Sequence, residues 1–254
     1  MKALITGASS GIGREMAIIL SEQGYDLVLV ARRKKRLESL KKELKTDVQI
    51  ISMDISSAYN CMELYNQVKS ENIDILINNA GFGIFGEFVD TNLDKELDMI
   101  DTNIKAVHIL TKLFLKDMKT RNSGYILNVA SSAAFLPGPL MATYYATKSY
   151  VLHLTEAIYE ELRHDHSHVY VGAFCPGPVE TEFNEVAQVQ FGVKSISCKQ
   201  AAEYAIQKMF KQKRIIIPTL LMKINCTLNR FVPRKMLLKI CYQIQSKKDV
   251  THEK

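Results

Sequence analysis

One doubly wound α/β domain, a parallel sheet with helices on both faces, is predicted from three observations. Short continuous apolar runs alternate with amphipathic helical stretches, the pattern of crossover units whose strands are covered on both sides. A glycine-rich turn joins the first run directly to the first helix. The 254 residues suit one large domain with a substantial core, and neither an internal repeat nor a low-complexity linker divides them.

In chain order, the first strand covers residues 2–5. Thr6-Gly7-Ala8-Ser9-Ser10-Gly11-Ile12-Gly13 follows and opens a helix over 11–23. Glycines there let the backbone turn sharply and approach a pyrophosphate, while free N–H groups at the helix start supply donors. The Gly-xxx-Gly-x-Gly spacing departs from the general Gly-x-Gly-xx-Gly fingerprint, so this turn alone leaves a plain glycine-rich loop open. The second strand, 27–31, leads into a helix over 35–44, and the third, 48–53, into one over 58–69. The fourth strand, 73–78, ends in Asn79-Ala80-Gly81, and a long helix over 93–118 carries Asn103. The fifth strand, 125–130, ends at Ser131, followed by a helix over 144–163 and a sixth strand over 169–174. Pro176-Gly177-Pro178-Val179 and Thr181 come next, then 184–197 without clear periodicity, a helix over 199–211 and a seventh strand over 214–217.

The chemistry-bearing feature lies at the start of the 144–163 helix. Tyr144 and Lys148 are one turn apart, so a phenol and an ammonium share a face, and the positive charge can stabilise a phenolate. Tyr145 lies off that face. Ser131, at the sheet edge where open α/β folds bind ligands, can bring a hydroxyl to the same place.

These motifs, in this order and at these intervals, resemble the classical short-chain dehydrogenase/reductase family over residues 2–183, with a weaker continuation to Pro218. The resemblance implies a seven-stranded Rossmann sheet in the order 3-2-1-4-5-6-7 and reversible hydride transfer between a nicotinamide and a carbonyl or secondary alcohol. It implies that Tyr144 is general acid and base, that Lys148 lowers its pKa, that Ser131 orients the carbonyl and that Asn103 holds a water linking Lys148 to solvent. Asp54 is expected at the adenine, Asn79, Ala80 and Gly81 along the ribose, and Gly7, Ser9, Ser10, Gly11, Ile12 and Gly13 around the phosphates. Pro176, Gly177 and Val179 are expected beside the nicotinamide, with Thr181 on its carboxamide. Residues 184–210 take the place of a substrate lid and its following helix. The family usually assembles through the helices over 93–118 and 144–163, so a homodimer or homotetramer is expected. An epimerase or dehydratase with the same Tyr-Lys pair, or a cofactor-sensing regulator, are the alternatives.

Cofactor choice turns on the end of the second strand, Ala31-Arg32-Arg33-Lys34-Lys35-Arg36. An acid there would serve the ribose hydroxyls of NAD and repel a 2′-phosphate, whereas guanidinium groups bind that phosphate, so NADP(H) is expected. Arg32 is the primary expected contact and Arg33 a second; Lys34, Lys35 and Arg36 read as a solvated helix start. Phe82, Phe85, Phe135, Leu136, Pro137, Leu140 and Met141 could form an apolar substrate pocket or pack in the core.

With 47% hydrophobic and 24% charged residues the composition is that of a globular domain. A strand beginning at Lys2 leaves no room for a secretory signal, and no run of eighteen apolar residues occurs, so a cytoplasmic protein is expected. The five cysteines read as reduced thiols, the sequon at Asn225 as accidental, and His164, His166 and His168 as a solvated helix end, with no metal expected. Residues 211–254 carry 11 Lys or Arg against 2 acids, more than the whole chain's net charge of +6. This basic, amphipathic extension (218–254) reads as packing over the cleft, with peripheral membrane contact as the alternative and nucleic acid disfavoured.

Overall fold

The computed structural model of the chain describes residues 1–183 and 195–247. Its strands are β1 (Lys2–Thr6), β2 (Asp26–Ala31), β3 (Val48–Ser52), β4 (Ile75–Asn78), β5 (Tyr125–Val129), β6 (Tyr170–Phe174), β7 (Val179–Glu180), β8 (Ile196–Ser197) and β9 (Ile215–Ile216). Seven of them make one parallel sheet in the order β3-β2-β1-β4-β5-β6-β9, which is the expected topology with β9 as its seventh strand. β7 and β8 pair separately as a two-stranded ribbon.

Alternate residues of each strand serve opposite layers. Ala3, Ile5, Leu27 and Leu29 face α1 (Gly11–Glu22), α2 (Lys34–Glu43) and the later helix that ends in Phe210, whereas Leu4, Val28 and Val30 join the cluster containing α3 (Ala58–Val68). The long helix over 93–118 is three stretches: α4 (Leu93–Ile100), a π-helical segment (Asp101–Ala106) and α5 (Val107–Arg121). α5 and α6 (Ala142–His164) complete the second layer through Leu110, Phe114, Met118 and Leu162. Ile73 is buried but outside the ladder, which explains the over-long fourth strand in the sequence reading.

Residues 184–194 of the expected lid lie outside the described residues. The rest of that region is ordered secondary structure: β8 pairs with β7, and Ser197 and Gln200 form a capping box at the start of α7 (Cys198–Phe210). The basic extension forms α8 (Leu220–Leu228), a 3₁₀ turn (Asn229–Phe231) and α9 (Arg234–Ser246), and residues 248–254 lie outside the described residues. No helix among the described residues is long and apolar enough to cross a membrane.

Candidate active site

The turn after β1 is locked against the turn after β4. Thr6 Oγ1 accepts hydrogen bonds from the backbone N–H groups of Asn79 (3.0 Å) and Ala80 (3.1 Å), and Asn79 Nδ2 donates to the carbonyls of Thr6 (3.0 Å) and Gly7 (3.2 Å). Gly7 has φ +67°, and a Cβ on it would lie 2.8 Å from Ala80 Cα. A Cβ on Gly13 would lie 2.6 Å from the Gly7 carbonyl oxygen. Glycine is therefore a steric requirement at both positions, and α1 begins where its free N–H groups meet the bend. Asn79 is thus a brace of this cradle, with its amide donors turned to backbone. Thr181 overlies the cradle, its Cγ2 only 3.3 Å from where a Cβ on Gly11 would stand.

At the outer rim, Arg33 Nη2 donates to Ser9 Oγ (3.0 Å) and Ser10 Oγ (2.6 Å), and its Nη1 pairs with Glu182 at 2.7 Å. Arg36 also pairs with Glu182. The hydrogen bonds from Arg33 and then Arg36 hold the Glu182 carboxyl below its ordinary range. A carboxylate thus occupies a two-guanidinium, two-hydroxyl cluster of the kind that suits a phosphate dianion. Arg32 is turned elsewhere: its side chain is 72% exposed and reaches Asp54 at 3.9 Å. Asp54 Oδ1 accepts from the Ser56 N–H (3.0 Å). Arg33, at the N-cap position of α2, is thus turned back toward the cradle, whereas Arg32, the primary contact expected from the sequence, projects outward.

Tyr144 and Lys148 project from α6 into the interior, where both are buried with Ser131 and Asn103. Just past the end of β5, Ser131 Oγ accepts from the Ala133 N–H (3.1 Å). Lys148 Nζ donates to the Val129 carbonyl (2.9 Å) and lies 5.9 Å from the Tyr144 ring centre. A Cβ on Gly81 would come within 2.8 Å of Asn103 Oδ1 and 3.3 Å of Lys148 Nζ. Asn103 sits in the π-helical segment, a local widening often found at functional sites. Its Oδ1 accepts from the Phe82 N–H (3.1 Å) while Nδ2 donates to the Phe82 carbonyl (2.9 Å) and Thr147 Oγ1 (3.0 Å). The side chain brackets the Gly81–Phe82 turn to α6.

Burial dominates the electrostatics. It pushes the Tyr144 phenol up to about 12, opposed by the Ser131 hydrogen bond, and brings the Lys148 ammonium down to about 8, opposed by Cys175. Burial and Ser131 are the influences acting on Tyr144; Lys148, which donates to the Val129 carbonyl, adds none of the expected lowering. Tyr145 points to the far side of α6, where its hydroxyl accepts from Gln245 of α9.

Tyr144 is walled by Met99, Ala133 and Met141, with Phe82, Phe85 and Phe183 against them. Phe135 instead packs behind α6 with Ala134, Ile217 and Cys226. Leu136 and Pro137 line a separate cleft of about 580 Å³, shared with Tyr145, Ser149, His153 and Arg234, on the face of α6 away from Tyr144. Leu140 holds a left-handed bend (φ +63°), its carbonyl accepting from the Gly86 N–H (2.8 Å). Pro176 fixes the loop after β6 by accepting from the Ser132 N–H (2.8 Å), and Met222 of α8 closes on Gly177, 2.6 Å from where a Cβ would stand. The five cysteines are not joined as disulfides, and no group of three or more His, Cys, Asp or Glu among the described residues is placed to hold a metal.

A family model described as short chain dehydrogenase matches residues 1–190. The chain belongs to this family. It is an oxidoreductase of the nicotinamide-dependent, hydride-transferring kind. An uncharacterised oxidoreductase of Staphylococcus epidermidis is 35% identical over 185 residues, covering 72% of this chain and 80% of that one. A short-chain dehydrogenase from Sphingobium yanoikuyae, solved in complex with NADPH, superposes with a TM-score of 0.80 at 30% identity, covering 86% of this chain and 88% of that one. A bulky-bulky ketone specific alcohol dehydrogenase from Comamonas testosteroni gives 0.76 at 27% identity, covering 100% and 96%.

Three participants escaped the sequence reading. Glu182 is 149 residues from Arg33, and nothing local marks that pairing. Phe183 enters the wall around Tyr144 from beyond the last motif residue. Thr147 lies inside the Tyr-Lys motif and could have been found there, since it shares the buried face with Lys148 and anchors Asn103.

Proposed function

We propose that this protein is an NADP(H)-dependent reductase of apolar ketones or aldehydes, with Tyr144 as the proton donor. The observation that carries the reading is the burial of Tyr144 and Lys148, one turn apart on α6, together with Ser131 and Asn103. The tight glycine turn, which can close against Asn79 and Ala80 only because Gly7 and Gly13 lack Cβ atoms, and the Arg33–Ser9–Ser10 cluster fit such a cofactor.

When bound, the cofactor supplies the hydride. Ser131 holds the substrate oxygen by a hydrogen bond that strengthens as negative charge develops there. Tyr144 stays protonated at neutral pH, being held at about 12, and releases its phenolic proton to that oxygen. Lys148, held near 8 and so still largely charged at neutral pH, offsets the phenolate that remains. Asn103 keeps the Gly81 turn and α6 in register, and the relay of a proton from solvent to Lys148 through a water at Asn103 belongs to the same proposal. Asp54 is assigned to the adenine, Thr181 to the nicotinamide carboxamide, and Ile12, Ala80, Pro176, Gly177 and Val179 to the cofactor's walls.

The aromatic and methionine wall around Tyr144 excludes water and favours a carbonyl with bulky apolar substituents, a class consistent with the ketone specificity named for the Comamonas enzyme. The alternative of a regulator that only senses the cofactor is disfavoured because the Ser, Tyr and Lys side chains are all present and converge. Assembly as a homo-oligomer through α4, α5 and α6, whose exposed apolar residues include Leu93, Leu97 and Tyr150, is part of the proposal, as is a cytoplasmic location. Light scattering that gives a monomer across micromolar concentrations refutes the assembly.

The test is absorbance of NADPH and NADH during turnover of a panel of aryl and long-chain alkyl ketones. Faster oxidation of NADPH with the bulkier ketones is expected. No turnover with any carbonyl, despite cofactor binding, would favour the sensor.

A further inference from the structure

We propose that α8, its 3₁₀ turn and α9 form a docking surface for an anionic lipid bilayer. Both helices are fixed to the core by one face. On α8, Met222 closes on Gly177 and Cys226 is buried in the cluster behind α6. On α9, Leu237, Cys241 and Gln245 are buried, and Gln245 bonds to Tyr145. The opposite faces are therefore held outward by anchored helices.

On α8 that outward face is apolar, and on α9 it carries Lys235 and Lys239 beside Met236 and Tyr242. Leu220, Leu221, Ile224 and Leu228 form one stripe along α8, at 73, 65, 46 and 54% exposure. Phe231 follows at 79%, and Met236, Leu238, Tyr242 and Ile244 of α9 are also exposed. Nine of the seventeen exposed large hydrophobic residues among those described thus fall between residues 220 and 244. A concentration of this kind marks an interaction surface, where scattered exposed residues would not.

Charge selects the occupant. Residues 218–247 contain six Lys or Arg (Lys223, Arg230, Arg234, Lys235, Lys239, Lys247) and no Asp or Glu. Lys223 donates to the Tyr204 hydroxyl (2.8 Å) and Arg234 lines the α6 cleft, whereas Lys235, Lys239 and Lys247 are exposed and, among the described residues, have no carboxylate within ion-pair distance. A two-fold pair of this chain through the same patch would set Lys235, Lys239 and Lys247 against the same cations of the second copy, since an isologous interface opposes the patch to itself. An anionic bilayer instead accepts the apolar stripe below its headgroups and the long cationic side chains at them. The helices lie on such a surface, as neither can span it.

The test is co-sedimentation of the full chain with vesicles of 70% phosphatidylcholine and 30% phosphatidylserine at physiological salt. Binding is expected, and at least tenfold weaker binding to pure phosphatidylcholine. Each cation near such a surface contributes about a fivefold factor, so Lys235→Glu/Lys239→Glu should weaken binding by at least about 25-fold. Leu221→Glu/Leu228→Glu should abolish it. Both variants should keep the circular dichroism spectrum and the NADPH-linked turnover, because all four positions are exposed and outside the site. Absence of binding to the anionic vesicles would overturn the proposal. So would equal binding to both vesicle types, or conversion of a wild-type oligomer to monomer by Leu221→Glu/Leu228→Glu, which would make the patch an interface between copies. The readout is lipid binding, so it stands or falls apart from the catalytic reading.

Discussion

Arg33→Ala should weaken NADPH binding by about ten- to 150-fold while leaving NADH within about threefold. The magnitude follows from the cluster that Arg33 organises. Its guanidinium is already fixed by Ser9 and Ser10, so a phosphate arriving there meets an oriented donor, and a hydrogen bond to a charged group contributes about 1.5–3 kcal/mol. Glu182 adds a second, opposite perturbation. Its carboxylate pairs with Arg33 and Arg36 in the protein alone, so a 2′-phosphate must displace it. These groups are partly exposed, and exposed pairs contribute about 0.2–1 kcal/mol each, so loss of both pairs in Glu182→Gln should tighten NADPH by about two- to thirtyfold and leave NADH unchanged. Fluorescence titration of both cofactors against wild type, Arg32→Ala, Arg33→Ala and Glu182→Gln measures all of this. Equal losses for NADPH and NADH on Arg33→Ala would refute the phosphate contact, and a larger loss on Arg32→Ala would return the anchor to Arg32.

Gly13→Ala should abolish cofactor binding and lower stability by about 1–3 kcal/mol in urea unfolding, because its Cβ would meet the Gly7 carbonyl oxygen at 2.6 Å. Tyr145→Phe should leave turnover within about threefold and lower stability by about 1 kcal/mol, since it removes the Gln245 partner behind α6; loss of turnover would mean the helix register is wrong. Lys148 binds its proton less tightly in the fold (about 8) than in the unfolded chain (10.5). Between those values the unfolded chain holds more protons, so this group makes stability rise from pH 8 to pH 10 by roughly 1–3 kcal/mol. Lys148→Met should lose that rise in urea midpoints measured across the window; an unchanged pH profile would show that Lys148 is not buried as described.

The doubly wound sheet was legible because strands covered on both faces cannot hide: Leu27 to Ala31 and Ile75 to Ile77 are apolar on both sides. The π-helical segment at Asn103 was not, since one widened turn leaves the helical pattern of 93–118 nearly intact. β7 and β8 have two residues each, too few for a period to register. Within the site, Ser131, Tyr144 and Lys148 were readable from spacing, because one helical turn and one strand end determine their convergence. Which arginine turns toward the cradle was not readable, because both follow β2 and Arg33 is held by Ser9, Ser10 and a distant Glu182. The interleaved basic and apolar residues after Pro218 were visible, but which of them anchor the helices depended on contacts to Gly177 and Tyr145 far away in the chain.

Single-turnover reduction of a bulky aryl ketone by Tyr144→Phe preloaded with NADPH tests the central claim most directly. The phenol is removed and the ring kept, so the wall of Phe82, Phe85 and Phe183 stays packed. The account predicts NADPH affinity within about threefold of wild type and a hydride-transfer rate lower by about 10²- to 10⁴-fold. A rate close to wild type would contradict it.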